Sequence, residues 1–472
     1  MIITRFEYMK GLKCRKLLWT LFNEPEKIPC NYDGTQGLFY DEGAVTELVQ
    51  SLFPDIILAE QENVNSEENG IPWFLLAKRR PIFRASFTSA GISAKIDVLK
   101  PADDDKWDIV QFNTDSLDTE NTNSSITKHY RRRHEQHVRD ISFQCHCCEK
   151  VGVIIRNCYL THVNPNYVRR GAINAHELLT LEDVTDNVRA ESAGIEPRIA
   201  EMQRVIEMKE CPAFEMFTKE TRCLSICHLT HCHCPLIEQC REATNGKSAM
   251  LPPISDTDYD VEKIRNFMGR LVYPIRILDL NYFTRAIPLD GCKPYKMLPF
   301  VVSLQELENL DSDPVSHFWL WDGNGDPRSL ALHRIKELIG GSGSIIIRFK
   351  QFHEKYLKKF ATAFPEHQPL LENMMSRMLE LIEPFNQKIL GVLALNGVDL
   401  FEAAFPDMEC SDSYMDSIEF IKCIYGKQSA DEYERIRIRL ENNCRRNTMQ
   451  ILVILRRLAG FSRKGDALKE IN

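Results

Sequence analysis

Three short apolar runs at 81–87, 92–99 and 107–112, with turn-forming residues between them, constrain this chain more than any other feature. Their length, their β-branched and aromatic content and the Asp103-Asp104-Asp105 turn predict a meander of strands. A strongly basic helical stretch over 126–150 and a further strand over 153–163 follow at once. Asp97 falls near the end of the second strand, and Gln111 and Asn113 near the end of the third. An Asp on one strand and Glu-x-Lys on the next would set two carboxylates around a divalent metal and a cation beside an attacked phosphate. Here the Asp stands alone, with amides at the other two positions. The same subtraction recurs at Asp279-Leu280-Asn281, where an Asp-x-Glu pair would serve a metal.

At 472 residues the chain exceeds one ordinary core, so two domains are expected. Apolar content of 43% and charged content of 27% describe a globular protein. A net charge of −8 opposes indiscriminate binding to phosphate backbones, so any nucleic-acid contact requires a local basic patch. Arg5, Glu7 and Lys10 interrupt the N-terminal apolar residues, and no run of about 20 apolar residues is present, so a cytoplasmic, non-membrane protein is expected.

Helical spacing predicts helices over 4–21, with Cys14 inside, over 42–53, ending at Pro54, and over 197–209. The Pro/Ser/Asp-rich segment 251–260 reads as a linker. Beyond it, strands are predicted at 276–280, 298–304, 316–321 and 344–348. They are interleaved with helices at 261–271, 328–339, 351–363, 370–383 and 431–459. That alternation is the signature of an α/β domain.

Sixteen cysteines in a long chain without an export signal read as thiols or metal ligands rather than disulfides. Between Cys223 and Cys240 lie Cys227, Cys232, Cys234, His228, His231 and His233. Soft thiolates at this density favour zinc or an iron–sulfur cluster. The irregular spacing, without a Cys-x-x-Cys pair, leaves ordinary buried thiols as the competing reading.

Several strings resemble bacterial proteins of unknown function that join a RecB-type, CRISPR-exonuclease-like half to a proofreading-type exonuclease half. In the first half these are Tyr8-Met9-Lys10-Gly11-Leu12-Lys13-Cys14 with Trp19, Leu52-Phe53-Pro54, Asp140-Ile141-Ser142-Phe143-Gln144, and Asn166-Tyr167-Val168-Arg169. In the second they are Ile287-Pro288, Pro294-Tyr295, Pro299-Phe300, Gly343-Ser344-Ile345 and Cys444-Arg445-Arg446-Asn447-Thr448. The resemblance implies a restriction-endonuclease-like (PD-(D/E)XK) domain over 1–250, the linker, and a ribonuclease-H-like (DEDD exonuclease-like) domain over 261–465. It also implies an iron–sulfur cluster on Cys14, Cys227, Cys234 and Cys240, with Pro235 in its usual place. Cys227 lies one position off the family spacing, which falls on His228, so zinc held by cysteine and histidine stays open.

The resemblance also locates two vestigial metal sites. In the first half the family's His falls on Gly43, its Asp on Asp97, its Glu on Gln111 and its Lys on Asn113, with Gln144 retained on the helix. In the second, the four acids fall on Asp279, Asn281, His353 or its neighbour Glu354, and Asn447, while Phe349 replaces the Asn before the third acid. Amides carry no charge, and each lost charge-stabilising group raises a barrier by about 3 kcal/mol. The expectation is a nuclease-derived pseudoenzyme that binds nucleic acid or a partner protein without cutting. The alternatives are a weak metal-dependent exonuclease using Mg or Mn with Glu354 and Glu380, and a metal-stapled interaction scaffold.

Arg131, Arg132 and Arg133, with His134 and His137, could grip phosphates or form a solvated helix face. Asp103, Asp104, Asp105 and Asp108 read as a solvated turn, Trp319 and Trp321 as core, and Gly340-Gly341-Ser342-Gly343 as a helix stop rather than a phosphate cradle, leaving Lys350 and Lys355 without a glycine signature.

Overall fold

The computed structural model describes residues 1–28, 42–59, 73–112, 124–212, 236, 261–385, 419–421, 423–425 and 429–467, with backbone alone for 42–45, 124–132 and 461–467. The fold is mixed α/β with two sheets. The chain divides into two compact units. One comprises Met1–Ser248 with Arg285–Lys296, and the other Ala249–Thr284 with Met297–Asn472. Among the described residues no helix is long and apolar enough to cross a membrane.

The first unit is built on a sheet of strands β1 (Ile3–Thr4), β2 (Ile57–Leu58), β3 (Ile82–Ser89), β4 (Ile92–Pro101), β5 (Trp107–Gln111), β6 (Ile155–Val163) and β7 (Leu179–Asp183). The order is β2-β3-β4-β5-β6-β7, with β1 parallel to β4. The three central runs form the antiparallel meander that their sequences predict. The helix Ser124–Lys150 then crosses over to bring β6 in parallel beside β5. β1 pairs with Ile92 and Ser93 while β5 pairs with Val98 to Pro101. Since β3 holds the other edge of β4, β1 and β5 share one edge and leave a gap between them at Asp97.

Asp97 also marks a phase change. Phe83 and Val98, which pair, lie in one apolar cluster, whereas the next pair, Ala85 and Ile96, lies in another. Residues two apart on a strand ordinarily share a face. Here both strands switch faces across the intervening Arg84 and Asp97, and Arg84 adopts a left-handed backbone with φ of 61°, a conformation that costs a non-glycine residue about 1–2 kcal/mol.

The helix expected over 4–21 is two. Arg5–Gly11 is capped by Thr4 and Glu7 in a reciprocal capping box, and Arg15–Asn23 is capped by Cys14, whose Sγ accepts from the Leu17 N–H at 3.4 Å. Cys14 is thus extended backbone (φ −153°, ψ 114°) between helices rather than a mid-helix residue. The segment Arg285–Lys296 packs within the first unit. Ala286 and Ile287 join the cluster of Val98, Val110 and Tyr167, and Gly171 N donates to Asp290 at 2.6 Å.

The second unit has a sheet of β8 (Ile275–Phe283), β9 (Leu298–Leu307), β10 (Val315–Leu320), β11 (Ile345–Ile347) and β12 (Met378–Glu380) in the order β10-β9-β8-β11-β12. The first three strands are antiparallel, and β11 and β12 run parallel to β8. The helices Pro327–Ile339 and Lys350–Ala363 bury Leu332, Ile335, Leu357 and Phe360 in one apolar cluster, and the helix Ala430–Ala467 buries Ile451, Leu452 and Leu455 in another. The helix expected over 370–383 ends at Ser376, and its apolar tail becomes β12. Trp321 is buried and stacks on Phe283 at 5.5 Å, a core role. Gly340 takes φ of 55° at the end of its helix, and Arg377 donates to the carbonyls of Gly340 and Ser342 at 2.8 and 2.6 Å.

Candidate functional site

In the first unit, Asp97, Gln111 and Gln144 converge at the gap beside β4, where Asp140 and Arg5 join them. Arg5 begins its helix as β1 ends, which aims its side chain into the gap. Its Nε and Nη2 donate to Asp140 Oδ2 at 2.8 and 2.6 Å, and Nη1 lies 3.4 Å from Asp97 Oδ1. The other Asp97 oxygen accepts from the Phe112 N–H at 3.0 Å. Asp140 and Gln144 stand four residues apart on the helix, hence on one face. Gln111 Nε2 donates to Asp140 Oδ2 at 3.0 Å, and Gln144 Nε2 donates to Gln111 Oε1 at 3.0 Å and to Asp140 Oδ1 at 3.2 Å. Gln111 and Gln144 are buried, and the Asp97 side chain keeps 26% exposure.

Burial works against the Arg5 charge, but Asp140 and then Asp97 outweigh it, so the guanidinium is held more firmly protonated than usual. Burial raises the Asp97 carboxyl above its ordinary range, against the pull of Arg5 and the Phe112 N–H. Gln144 Oε1 is buried without a hydrogen-bond partner among the described residues, an arrangement that costs about 1–3 kcal/mol. Asn113 lies outside the described residues, and Gly43 is described by backbone alone.

Asp108 does not replace the missing acid. It is fully buried and bound by Arg156 through two bonds of 3.0 and 2.8 Å, while Asp103 is 93% exposed. Farther along the same helix, His134 Nε2 lies 3.2 Å from Glu182 Oε1, and His162 Nε2 lies 2.6 Å from Glu182 Oε2. Arg133 is exposed, and the side chains of Arg131 and Arg132 lie outside the described residues.

Of the expected cysteine site, Cys14 alone is described; Cys227, Cys234 and Cys240, with His228, lie outside the described residues. One neighbour bears on it. Leu236, between Cys234 and Cys240 in sequence, is 1% exposed and packs with Leu17 in the small cluster against which Cys14 rests. Cys145, Cys147, Cys148 and Cys158 are buried core thiols, and burial pushes Cys147 up to about 12, leaving it protonated and inert. Among the described residues no group of three or more His, Cys, Asp or Glu is arranged to hold a metal ion.

In the second unit, Asp279 and Asn281 project from the central strand β8 toward the helix Ala430–Ala467. Asn447 Nδ2 approaches Asp279 Oδ2 at 3.5 Å, and Asn281 Nδ2 lies 3.3 Å from Cys444 Sγ. Thr448, fully buried, takes a bond from Gln305 Nε2 at 3.2 Å, so the Cys444-Arg445-Arg446-Asn447-Thr448 string docks this helix on β8 and β9. Burial raises the Asp279 carboxyl, with Arg348 and the Asn447 bond opposing. His353 is 6% exposed, and burial pushes it down to about 4, so its imidazole is neutral at pH 7. Its Nδ1 lies 3.3 Å from the Tyr282 hydroxyl. Glu354 lies 3.7 Å from Lys350, whose Nζ also donates to the Met378 carbonyl at 2.8 Å. Burial and the nearby Glu383 raise Glu380, against the pull of Lys350.

Arg5 and Asp140 are the participants that sequence reasoning missed. Asp140 had a readable signal, the Asp-x-x-x-Gln spacing on an otherwise basic helix, whereas Arg5 had none.

No curated protein matches the chain. A solved structure described as "Crystal structure of SSO0001" is similar at 11% identity and a TM-score of 0.22, over 51% of this chain and 86% of that one, a level that carries no argument. Residues 277–413, which include Asp279, Asn281 and His353 and stop short of Asn447, match the model of a family described as "Domain of unknown function (DUF2779)".

Proposed function

We propose that the chain is a catalytically degenerate nuclease-family protein, with a restriction-endonuclease-like first unit and a ribonuclease-H-like second unit, that binds nucleic acid or a protein partner without cutting. One observation carries this reading: the Arg5 guanidinium lies between Asp97 and Asp140, where a divalent metal would have to sit. Metal-assisted hydrolysis needs a Lewis acid with an open coordination position that ionises water. A guanidinium offers one positive charge, fixed donors and no such position. Entry of a metal would require displacing the Arg5 guanidinium from its two bonds to Asp140 and its contact with Asp97. In the second unit Asp279 has amides, Asn447 and Asn281, in place of partner acids, and a single carboxylate does not hold two cations.

The cysteine-rich segment is read as the seat of a structural cofactor. The packing of Leu236 in the cluster beside Cys14 fits a centre held by Cys14, Cys227, Cys234 and Cys240, as an iron–sulfur cluster or, with His228, as zinc. That group would staple the N-terminal helices to the end of the first unit and supply no hydrolytic chemistry.

The test is incubation of the purified chain with Mg or Mn and labelled single- and double-stranded DNA and RNA. Intact substrates are the expected result. Robust cleavage that Asp97→Ala or Asp279→Ala abolishes would refute the reading.

A further inference from the structure

The second unit carries exposed aromatic rings set among lysines. Phe349 is 58% exposed and Phe352 is 41% exposed. Phe349 immediately precedes the helix Lys350–Ala363, and Phe352, Tyr356 and Lys359, at i, i+4 and i+7, share one face of it. The rings are braced rather than loose. Phe352 meets Tyr356 edge-on at 4.9 Å, and Tyr282 lies 5.8 Å from both. Arg348 lies over the Phe349 ring at 5.2 Å. Phe349 itself has φ of 55°, so a large apolar side chain is held in solvent on a backbone conformation that only glycine adopts freely.

Cations interleave with these rings. Lys355 and Lys359 place Nζ 5.7 and 5.2 Å from the Tyr356 ring centre, and Lys358 is exposed beside them. The helix's one acid, Glu354, faces Lys350 at 3.7 Å. A packing remnant explains exposed phenylalanines but not their alternation with lysines. Fixed aromatic faces with adjacent ammonium groups match a chain that alternates flat π-systems with phosphates.

We propose that this stripe, Phe349, Phe352 and Tyr356 with Lys355, Lys358 and Lys359, is a binding platform for single-stranded nucleic acid, its rings stacking on bases and its lysines meeting phosphates. The inference rests on the reading of a non-cutting binder and deepens it, the rings interleaved with lysines selecting nucleic acid over protein. Tyr282, which lies against both Phe352 and Tyr356, ties the platform to β8.

The test is fluorescence anisotropy of the purified chain with a labelled oligothymidylate and a duplex of the same length, across a salt series. Tighter binding of the single strand is expected. Phe349→Ala and Phe352→Ala should each weaken it by about 5- to 100-fold, and Phe352→Tyr, which keeps a ring, should restore most of the affinity. Lys355→Gln with Lys359→Gln should lower the slope of log affinity against log salt by about 1.4. All four positions are surface-placed, and unchanged circular dichroism separates lost stacking from lost folding. Absence of oligothymidylate binding, duplex binding as tight as single-strand binding, or unchanged affinity in the Phe349→Ala/Phe352→Ala variant would overturn the platform and leave the non-cutting reading standing. Cleavage of an oligonucleotide bound in this way would overturn the non-cutting reading and leave the platform standing.

Discussion

Arg5 gives two hydrogen bonds to the same oxygen of Asp140, from Nε at 2.8 Å and Nη2 at 2.6 Å, while its third nitrogen faces Asp97 at 3.4 Å. Arg5→Ala would take from Asp140 its bonded cation and from Asp97 one of the two arginines that act on it, Arg84 remaining. Because the Arg5 side chain is one-third exposed, solvent offsets part of the loss, and the expected destabilisation is about 2–4 kcal/mol in urea unfolding. Wild type should not bind manganese at Asp97, and the variant should, read by calorimetry and removed by Asp97→Ala. Arg5→Lys should recover only part of the stability, since an ammonium lacks the planar fork that reaches both acids. Manganese binding by wild type at Asp97 would contradict the internal-cation account.

Gln111→Glu restores a carboxylate, yet it should not restore a working site. The new group would lie where an amide nitrogen now donates to Asp140 Oδ2 at 3.0 Å, turning an attraction into repulsion between buried anions. A destabilisation of about 2–3 kcal/mol is expected at pH 8. It should shrink toward pH 5, because the raised folded-state pKa of the new carboxyl lets it protonate there. Equal losses at the two pH values in urea unfolding would show that the site tolerates the second charge.

The fold was readable where apolar runs were long enough to dominate. The meander through Asp97 and the strands that became β8 to β10 follow from alternation and turn residues alone. Elsewhere local pattern misled. Met378 and Leu379 continue the helical spacing of the preceding segment, and only pairing with Ile345 and Ile346 makes them a strand. Residues 179–183 are too short and polar to signal β7. The site was half legible. Asp97, Gln111 and Gln144 stood out by residue type and resemblance, but Arg5 lies 92 residues from Asp97 and 135 from Asp140. Nothing local distinguishes it from any surface arginine, because its role is created by β1 docking on the free edge of β4. The membership of Arg285–Lys296 in the first unit was equally unmarked, since it depends on which core receives Ala286 and Ile287.

Gly343 occupies a position that excludes every other residue. Its φ is 88°, and a Cβ there would lie 2.1 Å from the Pro274 carbonyl oxygen. The neighbouring backbone cannot yield easily, because Ser344 N bonds to Val272 O at 2.7 Å and Arg276 N bonds to Ser344 O at 2.8 Å. Gly343→Ala should therefore cost about 3–5 kcal/mol. Gly341 serves as the control, since a methyl group there would meet nothing within 4 Å, and Gly341→Ala should stay within about 0.5 kcal/mol. Similar urea midpoints for the two variants would remove the steric explanation.

The neutral His353 makes the second unit sensitive to acid in a defined window. Burial lowers its folded-state pKa from 6.5 to about 4, so between those values the unfolded chain binds a proton that the folded chain refuses. Stability is therefore complete above about pH 6.5 and falls as pH drops toward about 4, a loss of about 3 kcal/mol at its limit. His353→Gln removes the titrating group while keeping a polar atom near the Tyr282 hydroxyl. Its stability should decline less steeply across that window than wild type, measured by urea unfolding at half-unit pH steps. Parallel declines would mean that His353 protonates as readily folded as unfolded. In that case it would be a buried cation at mildly acidic pH beside the Tyr282 hydroxyl, rather than an uncharged ring there.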